Sequence, residues 1–97
     1  MFNKLKQFND LRKQANSLKS TLAVETVTIE QGGVKIILDG NQEVKSVSIE
    51  ENYLDRQKKA SLENDIREAM NKGVKQVQKI MVSKMKDMGG FNLPGMN

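Results

Sequence analysis

Apolar positions fall along this chain in two rhythms. From Phe2 to Ala23, the residues Phe8, Leu11, Ala15, Leu18 and Leu22 recur at alternating steps of three and four. That spacing lines one face of an amphipathic helix. Gln, Asn, Lys and Arg fill the other faces, and no Gly or Pro interrupts them. At 1.5 Å rise per residue, about 21 residues predict a rod of roughly 31 Å.

The rhythm then changes to two. Val27 and Ile29 alternate with Thr26, Thr28 and Glu30, and Gln31-Gly32-Gly33 signals a turn. Val34, Ile36 and Leu38 face one way, with Lys35, Ile37 and Asp39 opposite. Asp39-Gly40-Asn41 is a second turn signal, because Asp-Gly suits positive φ. Val47 and Ile49 alternate with Ser46 and Ser48, and Val44 lies near the start of that run. Three short strands joined by tight turns predict an antiparallel meander.

Helical spacing returns after Asn52-Tyr53-Leu54-Asp55, where Asn52 or Asp55 can cap. It runs through Leu62, Ile66, Ala69, Met70, Gly73, Val74, Val77, Ile80, Met81, Met85 and Met88. About 30 residues predict a rod of roughly 45 Å. Gly73 in its middle predicts a bend or the close approach of another backbone. Gly89-Gly90 ends the helix, and residues 91–97 read as a flexible tail. The expected fold class is α+β: a long N-terminal helix, a three-stranded antiparallel meander and a long C-terminal helix in one domain, residues 1–90. Both helices overrun so small a sheet, and their apolar seams are expected to pair as an antiparallel coil. A homodimer would cover the open edges and second face of the sheet through a shared β core of Val27, Ile29, Val34, Ile36, Leu38, Val47 and Ile49, leaving helical arms projecting.

Composition narrows the chemistry. The chain has no Cys and no His. Disulfides, thiolate nucleophiles, the commonest general base and the commonest metal ligands are therefore excluded. The acids Glu43, Glu50 and Glu51 have nothing to gather them in a pocket, so a solvated edge is expected. Gly32-Gly33 lacks the spacing of a phosphate loop, and Asp39-Gly40-Asn41 lacks the remaining ligands of a calcium loop. No enzyme, cofactor, metal or small-molecule substrate is expected. Met1 to Asp10 is polar, and no apolar run approaches the roughly 20 residues of a membrane span. A cytoplasmic protein with no membrane partner is expected.

Charge is the remaining signal. Residues 1–24 carry five Lys/Arg and one Asp, residues 25–54 two Lys and six Asp/Glu, and residues 55–97 nine Lys/Arg and five Asp/Glu. The segment charges are thus +4, −4 and +4, which sum to the net +4 of the chain. Lys72, Lys75, Lys79 and Lys86 share one helix face, with Lys84 to the side. Between Ala69 and Met88 the only acid is Asp87. Lys6 with Lys13, and Arg12 with Lys19, repeat at heptad spacing in the first helix. A solubilising face usually mixes signs, as residues 56–68 do; the distal stripe does not. These nine residues suit phosphate contacts on double-stranded DNA. Aromatic residues make up only 4% of the chain, which disfavours reading single strands by stacking. A chaperone-like module of the prefoldin type, or an RNA or ribosome binder, also accommodates coiled arms and lysine stripes.

The ordered features of Val27 to Asp55, VTIEQGGVKIILDGNQEVKSVSIEENYLD, carry a likeness. A Gly-rich turn precedes Val34, Asp39-Gly40 follows, and Val47-x-Ile49 leads to Leu54-Asp55. Met1-Phe2 with its Gln/Lys-rich helix, and the close Lys84-Met85, Gly89-Gly90, Leu93-Pro94-Gly95, extend it over nearly the whole chain. In these features the chain resembles the YbaB/EbfC family of bacterial nucleoid-associated proteins. It departs at Glu50-Glu51, where such families often place Asp-Pro, and in the extra charges Arg56, Lys58 and Lys59. The resemblance implies a tweezer-shaped homodimer in the bacterial cytoplasm. It also implies DNA binding by the arms with weak sequence specificity, and a role in nucleoid organisation and gene regulation.

Overall fold

The computed structural model of the protein describes residues 3–88, with side-chain surroundings from Lys4 onward. Helix α1 spans Asn3–Ala23, strands β1, β2 and β3 span Thr26–Gln31, Val34–Asp39 and Val44–Ile49, and helix α2 spans Lys59–Asp87. This is the order that the hydrophobic pattern predicts. The sheet is antiparallel in the order β1-β2-β3. Short 3-10 turns, Glu51–Tyr53 and Arg56–Lys58, lead into α2. Of the two candidate caps, Asp55 makes the contact: its side chain accepts from the Gln57 amide at 2.9 Å. The expected Gly89-Gly90 stop and the tail lie outside the described residues.

One face of the sheet and one stripe of α2 make the core. Val27, Ile29, Val34, Ile36 and Leu38 pack with Ala69 and Val77, flanked by Leu62, Ile66, Met70, Ile80 and Met81. Gly73 belongs to this contact. A Cβ on it would lie 2.5 Å from Leu38 Cδ1. The close approach predicted there is made by a side chain of the sheet rather than by another backbone.

The helix covers β1 and β2 but not β3. Ile36 pairs with Val47 and Val34 with Ile49, so these β3 side chains point to the same face as the core. They nevertheless stay open, with Val44 44%, Val47 55% and Ile49 37% exposed. The opposite face carries Thr26, Thr28, Glu30, Lys35, Ser46 and Ser48, with Ile37 half-buried among them. Apolar surface in need of cover therefore lies beside the helix on the core side, not on the sheet's second face. The expected shared β core divides accordingly. Val27, Ile29, Val34, Ile36 and Leu38 are buried within the single chain, while Val47 and Ile49 are open.

The β2–β3 connection anchors α1. Asp39 Oδ1 accepts from the amides of Asn41 at 2.8 Å and Glu43 at 3.0 Å, and Oδ2 meets Lys45 Nζ at 3.4 Å. Positive φ falls on Gln42 rather than on Gly40. A register shift between Ile37 and Leu38 sets Val44 opposite Leu38. Gly40 N donates to the carbonyls of Leu22 at 2.9 Å and Glu25 at 3.0 Å, and Asn41 Nδ2 donates to the Lys19 carbonyl at 3.0 Å. Carbonyls left over at the end of α1 are thus satisfied by the hairpin.

Among the described residues the predicted antiparallel coil is not formed within one chain. Leu5, Phe8 and Leu11 are 76%, 63% and 53% exposed, and only Leu22 at the far end is buried, at 2%. Register explains this. Lys84, near the end of α2, meets Glu25, just past the end of α1. The four residues from Met85 to Met88 extend only about 6 Å at helical rise, too short to run along α1. The first helix therefore projects, and the molecule measures 65 × 23 × 20 Å.

Candidate nucleic-acid interface

Four of the nine basic candidates stand on the outer face of α2. At about 100° per residue, Lys72, Lys75, Lys79 and Lys86 fall within an arc of roughly 60°. All four are exposed, while Ala69, Gly73 and Val77 are buried against the sheet. Lys75 and Lys79, with Gln78 and Val82, line a shallow depression on that face. The stripe rises by about 21 Å from Lys72 to Lys86.

Lys84 sits differently. The same geometry puts it roughly 150° round the helix from the stripe, on the packing side. There its ammonium lies 3.0 Å from Glu25 Oε1. The hydrogen bond to Glu25, and then its charge, hold the Lys84 ammonium above the ordinary lysine range, against a smaller opposing effect of burial. A lysine so paired fastens α2 to the α1–β1 connection and adds little to the outer face.

Lys72 is held in place as well. Its Nζ donates to Gln31 Oε1, and Gln31 Nε2 donates in turn to Glu68 Oε2 at 2.9 Å. In the sequence Gln31 reads only as part of the turn signal Gln31-Gly32-Gly33. The available signal was its phase, since it follows Val27 and Ile29 on the inward side of β1.

On α1, Lys6, Arg12, Lys13 and Lys19 are all exposed. Lys6 and Lys13 lie opposite the apolar seam, whereas Arg12 and Lys19 flank it. The first helix therefore divides its charge between two directions, and the second concentrates it in one. The acids Glu43, Glu50 and Glu51 are exposed, and Glu43 lies 3.2 Å from Lys45. Among the described residues no three His, Cys, Asp or Glu side chains are grouped to hold a metal ion, and no helix is long and apolar enough to cross a membrane.

A helix packed on a three-stranded meander, a projecting second helix and a row of exposed lysines on the outer face of α2 define a small α+β protein with a concentrated basic face. The sequence matches the model of the YbaB/EbfC DNA-binding family over residues 1–91, and the chain belongs to that family, which is a DNA-binding family and not an enzyme family. It is 32% identical to a nucleoid-associated protein of Syntrophobacter fumaroxidans over 98 residues, covering 98% of this chain and 89% of that one. A nucleoid-associated protein of Caldanaerobacter subterraneus is 29% identical, with 97% and 87% covered. The fold recurs in the crystal structure of an uncharacterized protein from Helicobacter pylori, with a TM-score of 0.75 at 22% identity, covering 93% of this chain and 98% of that one.

Proposed function

We propose that the protein is a homodimer that grips double-stranded DNA through its phosphates with weak sequence specificity, in the nucleoid of the bacterial cytoplasm, contributing to nucleoid organisation and gene regulation. The observation that carries this reading is the outer face of α2, where Lys75, Lys79 and Lys86 stand exposed with no acid among them. About 21 Å of stripe matches about six base pairs of duplex axis at 3.4 Å each. Lysine ammoniums suit backbone contacts, which position a protein without reading sequence. Tyr53 offers no free stacking platform, because its ring lies against Gly33 with Lys58 Nζ 5.2 Å from its centroid. Lys6, Arg12, Lys13, Lys19 and Lys72 extend the contact, and Lys84 supports it from behind.

Dimerisation follows from β3. Its open edge and its exposed Val44, Val47 and Ile49 are covered when a second copy packs there. The proposed dimer core is thus β3, continued by the buried residues of β1 and β2 beneath α2.

Fluorescence anisotropy with unrelated duplexes at several salt concentrations tests the reading. If each protomer neutralises three phosphates, log affinity against log salt has a slope of about −5, from about −0.9 per phosphate. Binding that ignores salt, or no binding at low salt, refutes it. Competition with duplex RNA separates DNA from RNA preference.

One observation favours a second reading. Leu5, Phe8 and Leu11 form an open apolar stripe on the projecting arm, as a chaperone of the prefoldin type would need for holding unfolded clients. Suppression of a client's aggregation without duplex binding would select that alternative.

A further inference from the structure

We propose that Gln31 is a positioning residue of the basic face, whose amide stands between Glu68 and Lys72 and keeps the Lys72 ammonium available to a phosphate. The inference rests on the duplex-binding reading above. Glu68 and Lys72 are four residues apart on α2 with the acid first, the arrangement that favours a direct ion pair. Among the described residues no such pair is present: the ion pairs join Lys45 with Asp39 and Glu43, Lys59 with Glu63, and Lys84 with Glu25. The Gln31 side chain occupies the gap instead. Its Nε2 donates to Glu68 Oε2 at 2.9 Å, which leaves its Oε1 to accept from Lys72 Nζ.

The chemistry of the amide makes this more than a contact. A carboxylate on Lys72 would neutralise its charge and compete with an incoming phosphate. An amide oxygen is neutral and engages one of three ammonium N–H groups, leaving the others for phosphate oxygens. It also directs Lys72, at the start of the stripe, to a fixed place relative to Lys75 and Lys79. Gln31 can do this because it ends β1 in phase with Val27 and Ile29, so the strand delivers it to the flank of α2. Glu68 is half-buried, as Gln31 is, while Lys72 is exposed.

A double-mutant cycle on the full chain tests the proposal, using Gln31→Ala, Glu68→Gln, the pair together and the unaltered protein on one mixed-sequence duplex. Removing Gln31 lets Glu68 close on Lys72. Affinity is expected to fall roughly three- to tenfold, the range that coupled charged neighbours produce, and the salt slope to flatten by about 0.9 per protomer. Adding Glu68→Gln should restore affinity, whereas the same change with Gln31 present should gain only about twofold, from general charge. Equal gains in both backgrounds overturn the proposal, as does unaltered binding by Gln31→Ala. If the unaltered protein does not bind duplex at all, the duplex reading falls and the proposal with it; binding with an additive cycle removes the proposal alone. Thermal melting checks each fold, and Gln31→Met, of equal length and without hydrogen-bonding nitrogen or oxygen, replaces Gln31→Ala should that variant fail to fold.

Discussion

Replacing Lys75 and Lys79 with glutamine probes the phosphate grip most directly. Both side chains stand exposed on the outer face of α2, away from the sheet, so the loss of charge leaves packing unchanged. Glutamine keeps an unbranched polar side chain and the helix propensity. In a dimer the double change removes four positive charges from the proposed contact. If each meets a phosphate, the salt slope flattens by about 3.6, from about −5 to about −2. Between 50 and 200 mM salt the unaltered protein would then lose roughly a thousandfold in affinity, and the variant only about tenfold. Anisotropy titrations across that range read both quantities. Lys84→Gln is the internal control: the same net charge per residue is lost, but from a lysine bound to Glu25 on the packing side. Its slope should stay within about one of the unaltered value. The reasoning is refuted if the Lys75/Lys79 variant keeps its slope, or if Lys84→Gln alone flattens it as much.

Three further outcomes are expected. Gly73→Ala should destabilise the fold by about 1 kcal/mol in urea unfolding, because overpacking against Leu38 costs about 1–3 kcal/mol and the helix-propensity gain returns about 1; a more stable variant would show that Leu38 has room to move. Val47→Asp should give a folded monomer by sedimentation, since Val47 is 55% exposed within the chain while a charge is unfavourable on an apolar interface; a persistent dimer would move the interface away from β3. Asp39 loses ionisation tendency through burial, but the amides of Glu43 and Asn41 and the Lys45 ammonium outweigh that and hold its carboxyl below the ordinary value of 3.8. Its contribution to stability is therefore complete above that value and is lost as pH falls through the depressed one. Asp39→Asn should flatten the acid limb of a pH–stability curve below about pH 4, and an unchanged limb would refute the assignment.

Much of the architecture was legible because it is local. Steps of three and four placed both helices. Alternation placed all three strands and the inward set Val27, Ile29, Val34, Ile36 and Leu38, because a pleated strand puts every second side chain on one side. The shared face of Lys72, Lys75, Lys79 and Lys86 follows from helical pitch alone. The likeness of Val27 to Asp55 to the family pattern pointed to the family that residues 1–91 match.

What the sequence could not determine depends on residues far apart along the chain. The seam of α1 reads as a coil partner, but whether α2 lies beside it depends on where Lys84 lands, and its partner Glu25 is remote in sequence. Lys84 and Lys72 look alike among the lysines, yet one is taken by Glu25 and the other directed by Gln31. Val47 and Ile49 carry the same alternation as Val34 and Ile36, yet α2 is one helix wide and covers only two strands. Periodicity determines which face of an element is apolar or basic; only the packing of elements decides which of those faces is filled, because cover and charge pairing come from neighbours that the local pattern does not name.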